Sequence, residues 1–168
     1  MTLGFRNVDA AVSDPVESWP QEALRTALER GDISHWRRIV AAIRISPWGP
    51  VARGVEEILS YSQPYGVAGL MERAIAAARE EAARSEVAEV SAKVRSAQAT
   101  SGLTVGAFAE RCGTSGSRVS TYLSGKVVPS AAMLVRMERV ARREQASRSP
   151  APDVAQEVVA DPDGTEGR

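Results

Sequence analysis

FAERCGTSGSRVSTYLSG, residues 108–125, decides how the second half of this chain folds. The stretch reads as two short helices, and the question is whether a tight turn locks them at a fixed crossing. Four features say that it does. Ala109 is small where a second helix must cross closely. Gly113 follows Cys112 where the turn requires a left-handed backbone. Ser115 offers a hydroxyl to cap the next helix. Phe108, Cys112, Val119 and Tyr122 supply the apolar residues that clasp the pair.

Such an arrangement is a helix-turn-helix, and the flanking sequence agrees with it. Val87, Val90, Val94 and Ala97 form an apolar stripe that Ser101-Gly102 stops, and Thr104 opens the helix before the turn. After the second helix come Leu123-Ser124-Gly125-Lys126, then Pro129-Ser130 and a helix from Ala131 to about residue 143 with Met133, Leu134, Met137 and Val140 along it. Together, residues 89–143 resemble the λ-repressor-like family, also called the XRE or Cro/C1 type. Two departures stand out. Val105-Gly106 occupy positions where the family often carries a glutamine that reaches the DNA backbone. Gly116 replaces a longer polar side chain near the start of the second helix.

The resemblance implies a five-helix domain whose helix from Ser115 lies in the major groove, N-terminal end toward the bases. It makes Ser117, Arg118 and Thr121 the base readers and puts Ser115, Ser120 and Lys126 near phosphates. It also implies double-stranded DNA as partner and a homodimer. The basic residues of the last helix, Arg139, Arg142 and Arg143, read more simply as a solvated face.

Charge supports a polyanion partner. The chain is formally neutral, yet residues 90–143 hold nine basic side chains against Glu110 and Glu138, a local +7, and the flanks carry −7. From Glu144 onward the chain is acidic, with a net −4 that is placed to compete with DNA for the basic block.

The first half also reads as helices. One has Ser18 or Trp19 near its cap and Pro20 in its first turn, runs to Arg30 and ends at Gly31. A second begins after a cap at Asp32, with Ile33, Trp36, Ile39, Val40 and Ile43 at helical spacing. Ser46-Pro47-Trp48-Gly49-Pro50 and Gln63-Pro64-Tyr65-Gly66 break the chain on either side of a third helix, Val51 to Tyr61. A fourth follows with Leu70, Met71, Ala74, Ile75 and Ala78. The segment 79–88 keeps helix formers, including a Glu80–Arg84 pair, but lacks large apolar residues and reads as an exposed helical connector. Trp36, Trp48, Tyr61 and Tyr65 gather at the two breaks, either as core or as a partner-binding face.

The expected fold class is therefore all-α. A flexible arm (1–17) precedes an N-terminal helical interaction domain (18–78), a connector (79–88), the five-helix λ-repressor-like domain (89–143) and a disordered acidic tail (144–168).

Several function classes lack support. One cysteine and one histidine cannot build the usual Cys/His zinc site. Nucleophile-elbow, phosphate-loop and dinucleotide motifs are missing, so no enzyme activity, cofactor or metal is expected. Cys112 reads as a small buried hydrophobe, and His35 as a surface or partly packed residue. Neither a leader peptide nor an apolar run near membrane-spanning length is visible, and the lone cysteine fits a cytoplasmic protein. Only two of 21 basic residues are lysines, which points to a GC-rich, bacterial source.

The function expected from these readings is sequence-specific transcription regulation. Two alternatives accompany it: an antitoxin whose N-terminal helices hold a toxin while the second half represses its operon, and a protein–protein adaptor that does not bind DNA.

Overall fold

The computed structural model describes residues 10–148, and these are helical throughout, with no strand among them. Two compact units meet in sequence between Glu89 and Val90.

The first unit opens with a 3₁₀ turn, Val16–Ser18, and continues through α1 (Gln21–Arg30), α2 (Ile33–Ile45), α3 (Pro50–Tyr61) and the first part of α4 (Ala68–Ser101). Local chemistry sets each boundary. Pro20 sits just outside α1 rather than in its first turn, and Pro50 occupies the first turn of α3, where no amide partner is lost. Gly31 closes α1 by donating its amide to the Ala27 carbonyl at 3.0 Å. A Cβ there would fall 2.2 Å from that oxygen, so the close approach requires glycine. The same carbonyl accepts the Trp36 indole N–H at 3.0 Å, tying α2 to the end of α1.

Asp32 caps α2 as expected, accepting from the Ser34 amide at 2.8 Å and the Ser34 hydroxyl at 2.5 Å. His35 completes the cap. Its Nδ1 lies 2.9 Å from Asp32 Oδ1 and 3.3 Å from the Asp32 amide. The two contacts give Nδ1 opposite roles, donor to the carboxylate and acceptor from the amide, and the tautomer of the ring selects between them. His35 is thus buried against the cap rather than lying at the surface.

The core of this unit combines Ala23, Leu24, Ala27 and Leu28 of α1 with Ile39 and Ile43 of α2, Val55 and Ile58 of α3, and Met71 and Ile75 of α4. These positions repeat at helical spacing, so one face of each helix leaves water. Residues 10–17 are fastened to this core rather than loose. Val16 and Trp19 are buried, Arg38 stacks 5.0 Å above the Trp19 ring, and its guanidinium donates to the carbonyls of Val12 and Asp14. The remainder of the expected arm lies outside the described residues.

Helix α4 continues without interruption through residues 79–90, none of which is buried. Arg84 bridges Glu80 and Glu81 on this stretch at 2.6 and 2.7 Å, exposed pairs that water screens.

The second unit combines the last part of α4 with α5 (Val105–Cys112), α6 (Gly116–Leu123) and α7 (Ala131–Arg148). Among the described residues it has four helices, not the five that the resemblance implies. The reason is local: residues 131–148 contain neither glycine nor proline, so α7 has no point at which to divide, and it runs past residue 143 into the expected tail. The rest of that tail lies outside the described residues. The core is Val94 and Ala97 of α4, Phe108, Ala109 and Cys112 of α5, Val119 and Tyr122 of α6, and Met137 and Ala141 of α7. Phe108 is completely buried and alone contributes about 1.5–3 kcal/mol of burial free energy.

Candidate nucleic-acid interface

Three short-range devices set the relation between α5 and α6. Thr104 caps α5 through its hydroxyl, which accepts from the Ala107 amide at 3.3 Å. Gly113 then adopts the left-handed conformation, φ 67°, ψ 41°. Its amide donates to Glu110 O and the Thr114 amide to Ala109 O, each at 3.0 Å, the pattern of a Schellman closure. Finally Ser115 caps α6, accepting from the Arg118 amide at 3.3 Å. With Phe108, Ala109, Cys112, Val119 and Tyr122 all buried between the helices, their crossing is fixed from inside. The two N-terminal ends come close through bare backbone, because a Cβ on Gly116 would sit 3.8 Å from Gly106 Cα, ordinary contact distance.

Burying Val119 and Tyr122 turns the opposite face of α6 outward. Ser117 and Ser120 are exposed there, Thr121 is half-buried, Arg118 is exposed on the flank, Ser115 is exposed at the cap, and Lys126 is exposed in the turn beyond the helix. Their hydroxyls are partly engaged. Ser115 Oγ acts as the cap and lies 3.1 Å from Ser117 Oγ, Ser120 Oγ donates to Gly116 O at 3.0 Å, and Thr121 Oγ1 donates to Arg118 O at 2.8 Å. Each oxygen keeps acceptor capacity, and Ser120 and Thr121 could donate to an incoming oxygen only by rotating away from these carbonyls.

The nine basic residues of the block do different things. Arg95 reaches from α4 to donate to Leu123 O, the carbonyl end of α6, at 2.7 Å. Arg136 does the same for α5 at Cys112 O, 3.1 Å away, and Arg148, beyond the block, clasps Thr100 O near the end of α4. A cation at a helix C-terminus satisfies orphan carbonyls and opposes the macrodipole. Arg111 pairs with Glu144. A count of charges carries no sign of these uses, since every one joins residues far apart in the chain. Arg118, Lys126, Arg139, Arg142 and Arg143 are exposed and form no ion pair among the described residues.

Residues 73–151 match a helix-turn-helix domain family. No curated protein and no solved structure matches the chain. The match begins within α4 and extends through α7, so the helix-turn-helix domain includes α5, the turn at Gly113 and α6. Burial pushes the Cys112 thiol above its usual range, in keeping with a packed side chain of this domain. Among the described residues no group of three or more His, Cys, Asp or Glu could hold a metal ion, and no helix is long and apolar enough to cross a membrane.

Proposed function

We propose that this chain is a sequence-specific double-stranded-DNA-binding transcriptional regulator of the XRE type, acting as a dimer. The observation that carries the reading is the outward surface of α6, where Ser117 and Thr121 face away from the buried Val119 and Tyr122 and Arg118 is exposed on the flank beside them. Helix α6 enters the major groove, and these three side chains meet base edges. Arg118 is the strongest reader, since its guanidinium can make two parallel hydrogen bonds to guanine O6 and N7. Lys126 pairs with a phosphate, and Ser115 and Ser120 line the backbone beside it. Because the hydroxyl of Ser115 already caps the helix, its contribution there is mostly to hold the N-terminal amides in place.

In a dimer, two copies of α6 sit about 34 Å apart, one turn of duplex, and occupancy blocks or recruits polymerase. The N-terminal unit leaves Trp48, Tyr61 and Tyr65 exposed, which supports a protein partner on that unit. Enrichment of bound sequences from a pool of random duplexes tests the proposal. A regulator of this kind yields one recurring site with two half-sites, and hydroxyl-radical footprints show two protected patches one turn apart. A pool that stays random after repeated enrichment at moderate salt contradicts it.

A further inference from the structure

The first unit carries an apolar groove outside its core. Ile33, Trp36 and Val40 of α2 line it, with Ile45 at the end of that helix and Leu70 from α4, around a volume of about 590 Å³. Ile33 is 59% exposed, Ile45 82% and Leu70 37%, so these large side chains face water although the core lies one helix face away. Residues 33, 36 and 40 follow the spacing of a seam for a second helix, about 10 Å long at 1.5 Å per residue.

The groove also has a sign. Arg37 and Arg44 line it, one heptad apart on the same edge of that seam. Both are exposed, and neither forms an ion pair among the described residues. No carboxylate lines the groove. Residues on the edge of a helical seam choose the partner by charge.

From this geometry we infer that the α2–α4 groove is a docking site for an acidic amphipathic helix of another protein, its apolar side chains on Ile33, Trp36, Val40, Ile45 and Leu70 and its carboxylates, one heptad apart, on Arg37 and Arg44. An antiparallel second copy of α2 is the wrong occupant, because pairing two such edges would set arginine against arginine. The inference deepens the partner reading of the N-terminal unit and needs no DNA, so it can fail while DNA binding stands.

The test uses the full chain and two labelled synthetic peptides of about 15 residues, long enough to run the length of α2. Both carry the same leucine stripe; one has glutamates along its edges and the other lysines. Fluorescence anisotropy should show saturable binding of the glutamate peptide and none of the lysine peptide. The double variant Arg37→Glu/Arg44→Glu should reverse that preference. Ile45→Asp and, separately, Ile33→Asp should each weaken binding by about tenfold or more, as loss of an apolar anchor does. Both replace exposed side chains, and unchanged helical circular dichroism confirms the fold. Equal binding of both peptides, binding that survives charge reversal, or no binding of the glutamate peptide would each overturn the inference. So would concentration-dependent self-association abolished by Ile45→Asp, which would make a second copy the occupant.

Discussion

Arg136 holds the end of α5 from across the helix-turn-helix domain: its Nη1 donates to the carbonyl oxygen of Cys112 at 3.1 Å, one residue before the left-handed Gly113. The bond ties α7 to the turn that sets the direction of α6. Arg136→Ala should lower stability by about 1 kcal/mol, the usual worth of one such hydrogen bond, measured by urea unfolding. Arg136→Lys should recover part of it, since a lysine keeps the charge but loses the planar fork.

Gly113 is held in the left-handed region by the turn itself. A Cβ there would meet only Arg136 Nη1 at 3.5 Å, ordinary contact, so the cost of Gly113→Ala comes from the backbone. The expected loss is about 1–2 kcal/mol. Gly113→Asn should lose less, because asparagine tolerates this conformation. Unfolding curves of the two variants, compared with wild type, check the order.

Arg118 and Lys126 separate base reading from backbone attraction. Arg118→Ala should relax sequence preference at one position by about 1–3 kcal/mol. Lys126→Ala should weaken all sequences about equally and reduce the slope of log affinity against log salt by about 1. Titrations of both variants on matched and single-mismatch duplexes at several salt concentrations distinguish the two patterns.

Asp32 gives the N-terminal unit an acid limb. Hydrogen bonds from the Ser34 hydroxyl and amide, then from His35, hold its carboxyl at about 2, below the ordinary 3.8. A depressed acid pKa stabilises the fold above the ordinary value and loses that contribution as pH falls through the folded one. The thermal midpoint followed by tryptophan fluorescence should therefore drop as pH goes from 3.8 toward about 2. In Asp32→Asn, which still caps α2 but does not titrate, that part of the drop should vanish.

What the sequence makes legible here is local. Thr104, Gly113 and Ser115 announce a cap, a left-handed stop and a second cap, because each answers a backbone demand within a few residues of itself. The periodic core positions Val55, Ile58, Met71 and Ile75 are readable for the same reason. Arg95 and Arg136 are not, since their contacts to Leu123 and Cys112 join residues 28 and 24 positions apart and exist only once the helices have packed. His35 escapes notice because a histidine three residues after a capping aspartate is not the usual glutamate or glutamine of a capping box. Composition likewise does not tell whether aromatic residues at chain breaks are core. Trp36 is half-buried and bonded to Ala27, whereas Tyr65 stands wholly in solvent. Nor does a family pattern count helices: the uninterrupted α7 depends on the absence of a breaker between Ala131 and Arg148.

The central claim is that the outward face of α6 reads DNA sequence. Its most direct test is binding of the full chain to labelled duplex from the region upstream of its own gene and to a scrambled duplex of equal composition, each at two salt concentrations. Wild type would be compared with Ser117→Ala/Arg118→Ala. The account predicts salt-sensitive binding that prefers the native duplex, and a double variant that binds both duplexes alike. Binding that shows the same preference in the double variant, or no salt-sensitive binding to either duplex, would contradict it.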